Sequence, residues 1–400
     1  MSRRFEWILL LGFLYAACGS GGSGTPALRL AFATRALDGP CPEQPTAPSP
    51  PPAIDSVEIE LFDGQGRARY SGRSGVAGDG TVHFGGVPEG DGFFLFVSGF
   101  QADGTGWFGS AGDVSIRNGR DTTVHVFMGA EEDVSCAVRP LINPRAFGAS
   151  AALSNGFALA IGGAVPDEGS DCGTGCAAFT AVASVDAFDS GSGIVFPRAP
   201  LNTPRALASA TVLKDGRVLV VGGVSRFGVV RGDGMPFAVS PDDLVPTFEL
   251  YYPTKNVWVE GQLPAGMVFH SATLLQDGSV LLAGGGTGLD EAHASNVLYL
   301  YRPAPGSAGS VVEVAQTMQV ARIGHSAVLT PAGKVLLIGG SILPAAPLVE
   351  EVTPGDEPAV AEKPSEGLTA NLFFSSASVI PERPDEIFLA GGRVFDGQRL

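Results

Sequence analysis

The sequence predicts an all-β chain: a β-propeller of about five repeat units, the last incomplete, preceded by a small antiparallel β-sandwich. Three observations carry this. The 400 residues include 56 Gly and 30 Pro with only 16% charged residues, a composition that helices tolerate poorly and that short strands joined by tight turns accommodate. Gly-Gly pairs recur at Gly162-Gly163, Gly222-Gly223, Gly284-Gly285, Gly339-Gly340 and Gly391-Gly392, at intervals of 60, 62, 55 and 52 residues. Ahead of the second, third and fourth pairs the segments SATVLKDGRVLVVG (209–222), SATLLQDGSVLLAG (271–284) and SAVLTPAGKVLLIG (326–339) align without gaps, and 149–162 keeps the same length. Repetition on this scale is the signature of stacked units.

Each aligned segment reads as a hairpin. Asp215-Gly216, Asp277-Gly278, Ala332-Gly333 and Asn155-Gly156 supply the turn, since glycine accepts the positive φ such turns need. The flanking strands are apolar at successive positions, as expected when blades stack on both faces. Apolar residues stand eight places before each hairpin, at Leu141, Leu201, Leu263 and Met318. A companion strand is clear in Phe248, Glu249, Leu250, Tyr251 and Tyr252, followed by Trp258. It is weaker in Val185 to Asp189 and in Val297 to Tyr301.

This pattern resembles kelch repeats. The resemblance implies a propeller whose functional surface is the mouth of its central channel. His270 (in Phe269-His270-Ser271) and His325 (in Gly324-His325-Ser326) stand at equivalent places there. Galactose-oxidase and glyoxal-oxidase copper enzymes are also kelch propellers, with Tyr-His-Ser at that place, His as a copper ligand and Tyr as an axial ligand. Here Phe269 stands where the Tyr would, and no free Cys is evident for the cross-link. Kelch repeats without metal carry Arg-x-x-His-Ser, matched by Arg322 to Ser326. The histidines are therefore expected to be structural, each bonded to the backbone, with a metal site at His270 and His325 the weaker alternative. No cofactor and no catalytic residue is expected.

Before the repeats, short alternating runs at 57–61, 81–84, 93–97 and 122–126, with another strand at 28–33, are separated by Asp63-Gly64, Asp79-Gly80 and Asp103-Gly104. They read as the sandwich. The run 79–90 resembles transthyretin-like and carboxypeptidase-regulatory-like modules, which implies a spacer or adhesion role. Two assignments stay open for Val124 to Met128: a sandwich strand, or, with Val134 to Val138, outer strands that complete the last propeller unit.

Arg3 and Arg4 followed by an apolar run over 7–17 have the shape of a signal peptide. Leu14-Tyr15-Ala16-Ala17-Cys18 resembles a bacterial lipobox, departing from it at Tyr15. The expected organisation is a signal peptide at 1–17, a lipidated Gly/Ser tether at 18–24, the sandwich at 25–128 and the propeller at 129–400. The expected location is the bacterial cell envelope, as an outer-membrane lipoprotein held by Cys18; the alternative is a secreted or periplasmic protein. Lipidating Cys18 leaves four of five cysteines. Cys172 and Cys176 are expected to pair across a glycine-rich turn, and Cys41 with Cys136.

The net charge of −16 disfavours a nucleic-acid partner. Asp186 and Glu249, on strand edges, are expected to be solvated, and Phe248, Tyr251, Tyr252 and Trp258 to pack within blades rather than stack on a sugar. The expected function is a non-enzymatic, envelope-anchored binding scaffold. Its insertions at 164–180 and 224–246 would recognise a protein or carbohydrate ligand. The alternative is an enzyme related to the copper oxidases, opposed by Phe269.

Overall fold

The structure is a computed structural model. It describes residues 26–34, 54–130 and 141–394, except loop stretches at 64–66, 79, 103–105, 171, 231–235, 289–291, 344–347, 356–357, 364–367, 369 and 381–382. Cys18, Cys41, Cys136 and Val134 to Val138 lie outside the described residues.

The N-terminal unit is one seven-stranded sheet: β1 (Ala27–Thr34), β2 (Ser56–Phe62), β3 (Ala68–Gly75), β4 (Thr81–Gly85), β5 (Gly90–Phe100), β6 (Gly106–Ile116) and β7 (Asp121–Ala130). The order is β3-β2-β5-β6-β7-β1-β4, and the end strands β3 and β4 approach each other, so the sheet is nearly closed, like a barrel. All pairs are antiparallel except β1 with β7, which run parallel from Ala27 opposite Asp121 to Thr34 opposite Met128. Alternation decides which side chains fill it: Leu28, Leu30, Val57, Ile59, Leu61, Leu95, Val97 and Val126 have no solvent exposure. Val124 to Met128 therefore belong to this sheet. Strands β3 and β6, both rich in Gly and Ser, carry no alternating apolar signal and are not evident from sequence.

Four four-stranded antiparallel blades follow. The first is Ala149–Ala152, Phe157–Ile161, Val185–Asp189 and Ile194–Pro197. The second is Ser209–Val212, Val218–Val221, Thr247–Tyr252 and Val257–Gln262. The third is Ser271–Leu274, Val280–Ala283, Leu298–Arg302 and Ser310–Glu313. The fourth is Ser326–Leu329, Val335–Ile338, Val349–Thr353 and Ala359–Lys363. A fifth unit is a two-stranded hairpin, Leu372–Ile380 with Arg383–Val394. The innermost strands lie side by side in chain order.

The blades are held by their apolar faces. Leu219, Val221, Phe248 and Leu250 of the second blade pack on Val280, Leu282 and Tyr301 of the third, each large side chain contributing about 1.5–3 kcal/mol when fully buried. Phe248, Tyr251 and Trp258 are at most 9% exposed, so these aromatics build the blades.

The Gly-Gly pairs mark where one blade meets the next. A Cβ on Gly162, Gly222, Gly284 or Gly339 would lie 2.2–2.6 Å from a carbonyl oxygen of the following blade, on Arg205, Met267, Arg322 and Leu372 respectively. The second glycines, Gly163, Gly223, Gly285 and Gly340, donate their N–H to those same carbonyls at 2.8–3.0 Å. No side chain fits there. At Gly391 an added Cβ meets nothing within 4 Å among the described residues.

Two substitutions separate close approach from backbone conformation. Gly222 and Gly391 have nearly equal φ, +60° and +68°. Gly222→Ala combines the left-handed penalty with the Met267 clash and is expected to cost about 2–4 kcal/mol. Gly391→Ala bears only the former, about 1–2 kcal/mol. Urea unfolding of both variants measures the difference.

Candidate functional site

Four residues lead into each of the first four innermost strands, 145–148, 205–208, 267–270 and 322–325, and the first four residues of the fifth unit's strand, 372–375, take the equivalent places. Three of these four places carry the contacts around the channel.

The first place holds Arg145, Arg205, Met267, Arg322 and Leu372. Each arginine turns back into its own blade. Arg145 bonds the Gly162 carbonyl at 2.7 Å and Asp186 at 2.6 Å. Arg205 bonds the Gly222 carbonyl at 3.0 Å and Glu249 at 2.9 Å. Arg322 bonds the Gly339 carbonyl at 2.6 Å and Glu350 at 2.7 Å. All six side chains are at most 4% exposed. The expectation that Asp186 and Glu249 are solvated is thus overturned: they are buried counter-ions. Glu249 also accepts from the Asn202 and Thr203 amides at 2.7 and 3.0 Å. Burial pushes the Arg205 and Arg322 guanidinium groups below their ordinary value, and the facing glutamates pull them back up. In the third blade Met267 and Tyr299, at the corresponding positions, share one apolar cluster instead.

The third place holds Phe147, Leu207, Phe269, Gly324 and Phe374, all at φ between +56° and +60°. For the four non-glycines this is an uncommon backbone. It lets the lead-ins bond one another along the channel: Leu207 N–H to Phe147 O at 2.9 Å, Gly324 N–H to Phe269 O at 2.9 Å, Phe374 N–H to Gly324 O at 2.6 Å.

The fourth place holds the two histidines. His270 Nε2 lies 2.8 Å from Ser209 Oγ of the preceding blade, and His325 Nε2 lies 2.8 Å from Ser271 Oγ. Ser375 takes the same place in the fifth unit, with its Oγ 2.9 Å from Ser326 Oγ. The histidines therefore bond a neighbouring hydroxyl rather than the backbone, which corrects the sequence expectation on this point. Their Nδ1 atoms are buried with no hydrogen-bond partner among the described residues. Burial lowers His270 to about 4. Burial, then the Arg322 charge and His270, lower His325 to about 3. Both rings are neutral near pH 7. Among the described residues no group of three or more His, Cys, Asp or Glu side chains is placed to hold a metal.

The insertions of the first two blades join in one four-stranded sheet, Ala164–Pro166, Cys176–Ala181, Arg226–Val230 and Phe237–Ala238. It packs over the lead-ins through phenylalanines. Phe147 lies 5.4 Å from Phe179, 5.1 Å from Phe227 and 5.8 Å from Phe237; Phe237 lies 5.1 Å from Phe269 and 5.9 Å from Phe374. Phe269 thus serves this aromatic cluster at the place where a tyrosine ligand would sit. Cys172 and Cys176 form a disulfide against Gly228 of the facing strand, where a Cβ would come within 2.3 Å of Cys176 Sγ.

No family profile matches the chain. The chain is similar to an F-box/kelch-repeat protein of Arabidopsis thaliana, 29% identical over 150 residues, which are 36% of this chain and 29% of that protein. The chain thus spans under a third of the length of that relative. The fold is a kelch-type β-propeller. The Arg–carboxylate pairs, the lead-ins and the Gly-Gly contacts are its internal joints.

Sequence reading missed the carboxylate partners because they lie 28–44 positions from their arginines. The signal was present in the recurrence of Arg at 145, 205 and 322, each 17 places before the first glycine of its pair.

The ion pairs and the histidines can each be tested by unfolding. Arg205→Met alone strands a buried Glu249 and is expected to cost about 3–5 kcal/mol, while Arg205→Met with Glu249→Tyr, copying the third blade, recovers most of it; denaturant titration reads both. The histidines, whose folded values lie below the 6.5 of the free side chain, leave the unfolded chain holding more protons below that pH. Stability is expected to hold above pH 6.5 and to fall toward pH 4 with a slope approaching about 1.4 kcal/mol per pH unit per histidine. Unfolding curves of a His270→Gln/His325→Gln variant are expected to lose that part of the slope.

Proposed function

We propose that the chain is a non-enzymatic binding scaffold, anchored in a bacterial envelope through lipid on Cys18, with the propeller presenting its loops to a protein or carbohydrate ligand. Kelch repeats generally bind protein partners, and the kelch relative carries the fold into that class. The observation that bears most on the absence of chemistry is the role of the channel residues. His270 and His325 are each committed at Nε2 to a serine of the neighbouring blade, and Phe269 sits in the aromatic cluster under the inserted sheet. A copper-oxidase reading asks for a tyrosine oxygen where Phe269 has none.

The anchor rests on Arg3, Arg4, the apolar run and Leu14 to Cys18 in the sequence. Mass spectrometry of the mature N-terminus tests it. A diacylated or triacylated Cys18, with Cys18→Ala released from the membrane fraction, is expected; an unmodified start beyond Cys18 contradicts it. Purified protein is expected to hold no stoichiometric copper or zinc, and metal lost on His270→Ala/His325→Ala would contradict the scaffold reading.

A further inference from the structure

The inserted sheet carries a cleft of about 550 Å³, within the range of small-ligand sites. Its lining includes Ala178, Phe179 and Ala238 with Gly228, an apolar surface bounded by Cys172. Gly228 lets the disulfide pack close against this strand, since a Cβ there would come within 2.3 Å of Cys176 Sγ.

Polar groups of both signs also line it. Arg226 bonds Asp243 Oδ1 through Nε alone at 3.1 Å, so among the described residues its two terminal nitrogens have no protein partner, and the side chain is 63% exposed. Asp243 Oδ1 also accepts from Ser225 Oγ at 3.2 Å, which leaves Oδ2 as an acceptor. Thr287 adds a hydroxyl that can donate or accept.

We propose that this cleft binds a neutral saccharide. Adjacent donors on Arg226 and an acceptor on Asp243 match neighbouring hydroxyls, each of which donates and accepts, while the apolar surface suits the C–H face of a sugar ring. Charge disfavours an anion: Asp167 and Asp243 line the cleft of a chain with a net charge of −16, while Arg226 and Asp243 neutralise each other as an ion pair. Sheet geometry disfavours an extended peptide. The sheet's edge strands are Ala164–Pro166, three residues ending in proline, and Phe237–Ala238, two residues, too short to template another strand.

This deepens the binding-scaffold reading and rests on it. The test is calorimetric and saturation-transfer NMR titration of the full chain with maltose, cellobiose and lactose. At least one is expected to bind saturably, with affinity reduced about tenfold or more in Arg226→Ala, as for a hydrogen bond from a charged group, and abolished in Ala238→Trp, which fills the cleft. Unchanged thermal unfolding shows that both variants fold. Failure of all three sugars to bind, or binding that neither variant alters, overturns the proposal. The scaffold reading stands or falls separately, on the mature N-terminus and metal content.

Discussion

The structure of the propeller turns on one contact, repeated at the four junctions between successive units: a carbonyl oxygen from one blade pressed against a Gly-Gly pair of the blade before it. The first glycine is there because a Cβ would overlap that oxygen, and the second donates its N–H to it. Close approach and hydrogen bond are the same event seen from two residues. The contact fixes how far apart the blades can stand. That spacing then determines whether the aliphatic faces interdigitate, and burying those faces is the main stabilising term.

The buried ion pairs follow from the same junction. A chain end or turn that packs tightly leaves carbonyls needing donors in a place water cannot reach. Arg145, Arg205 and Arg322 supply those donors to Gly162, Gly222 and Gly339, and a carboxylate in each blade neutralises the charge so introduced. The third blade uses Met267 and Tyr299 instead, so the ionic solution is not obligatory. An apolar pair of similar volume can serve, because desolvating two charges largely offsets their attraction. The fourth blade shows the converse at its outer half. Glu351, flanked by Lys334 and Lys363, stands where the first three blades place Ala187, Leu250 and Leu300. The fifth unit has only two strands among the described residues, and an ion cluster whose lysines reach solvent suits a face with less blade against it.

Local features of the fold were legible in sequence and distant ones were not. The hairpins and their turns show because Asp-Gly and Gly-Gly supply the positive-φ backbone that these bends need. The Arg–carboxylate pairs do not show, because a glutamate such as Glu350 in a Val-Glu-Glu-Val strand looks like a solvated residue until its blade is assembled. The inserted sheet is invisible for another reason: two to six residues per strand give too few positions for alternation to register. The left-handed backbone at Phe147, Leu207, Phe269 and Phe374 runs against what those residue types suggest, and tertiary bonds between lead-ins impose it. At the candidate site, the equivalence of His270 and His325 was readable from alignment alone. Their serine partners were not, since each lies in the preceding blade.

Amide hydrogen exchange at Gly163, Gly223, Gly285 and Gly340 tests most directly whether the junction contact governs the fold. If it does, these four amides exchange only through global unfolding, at the same free energy as the buried amides of Val218–Val221. Exchange at the rate of exposed loop amides, with the blade cores still protected, would show that the blades stack without that bond and would contradict the account.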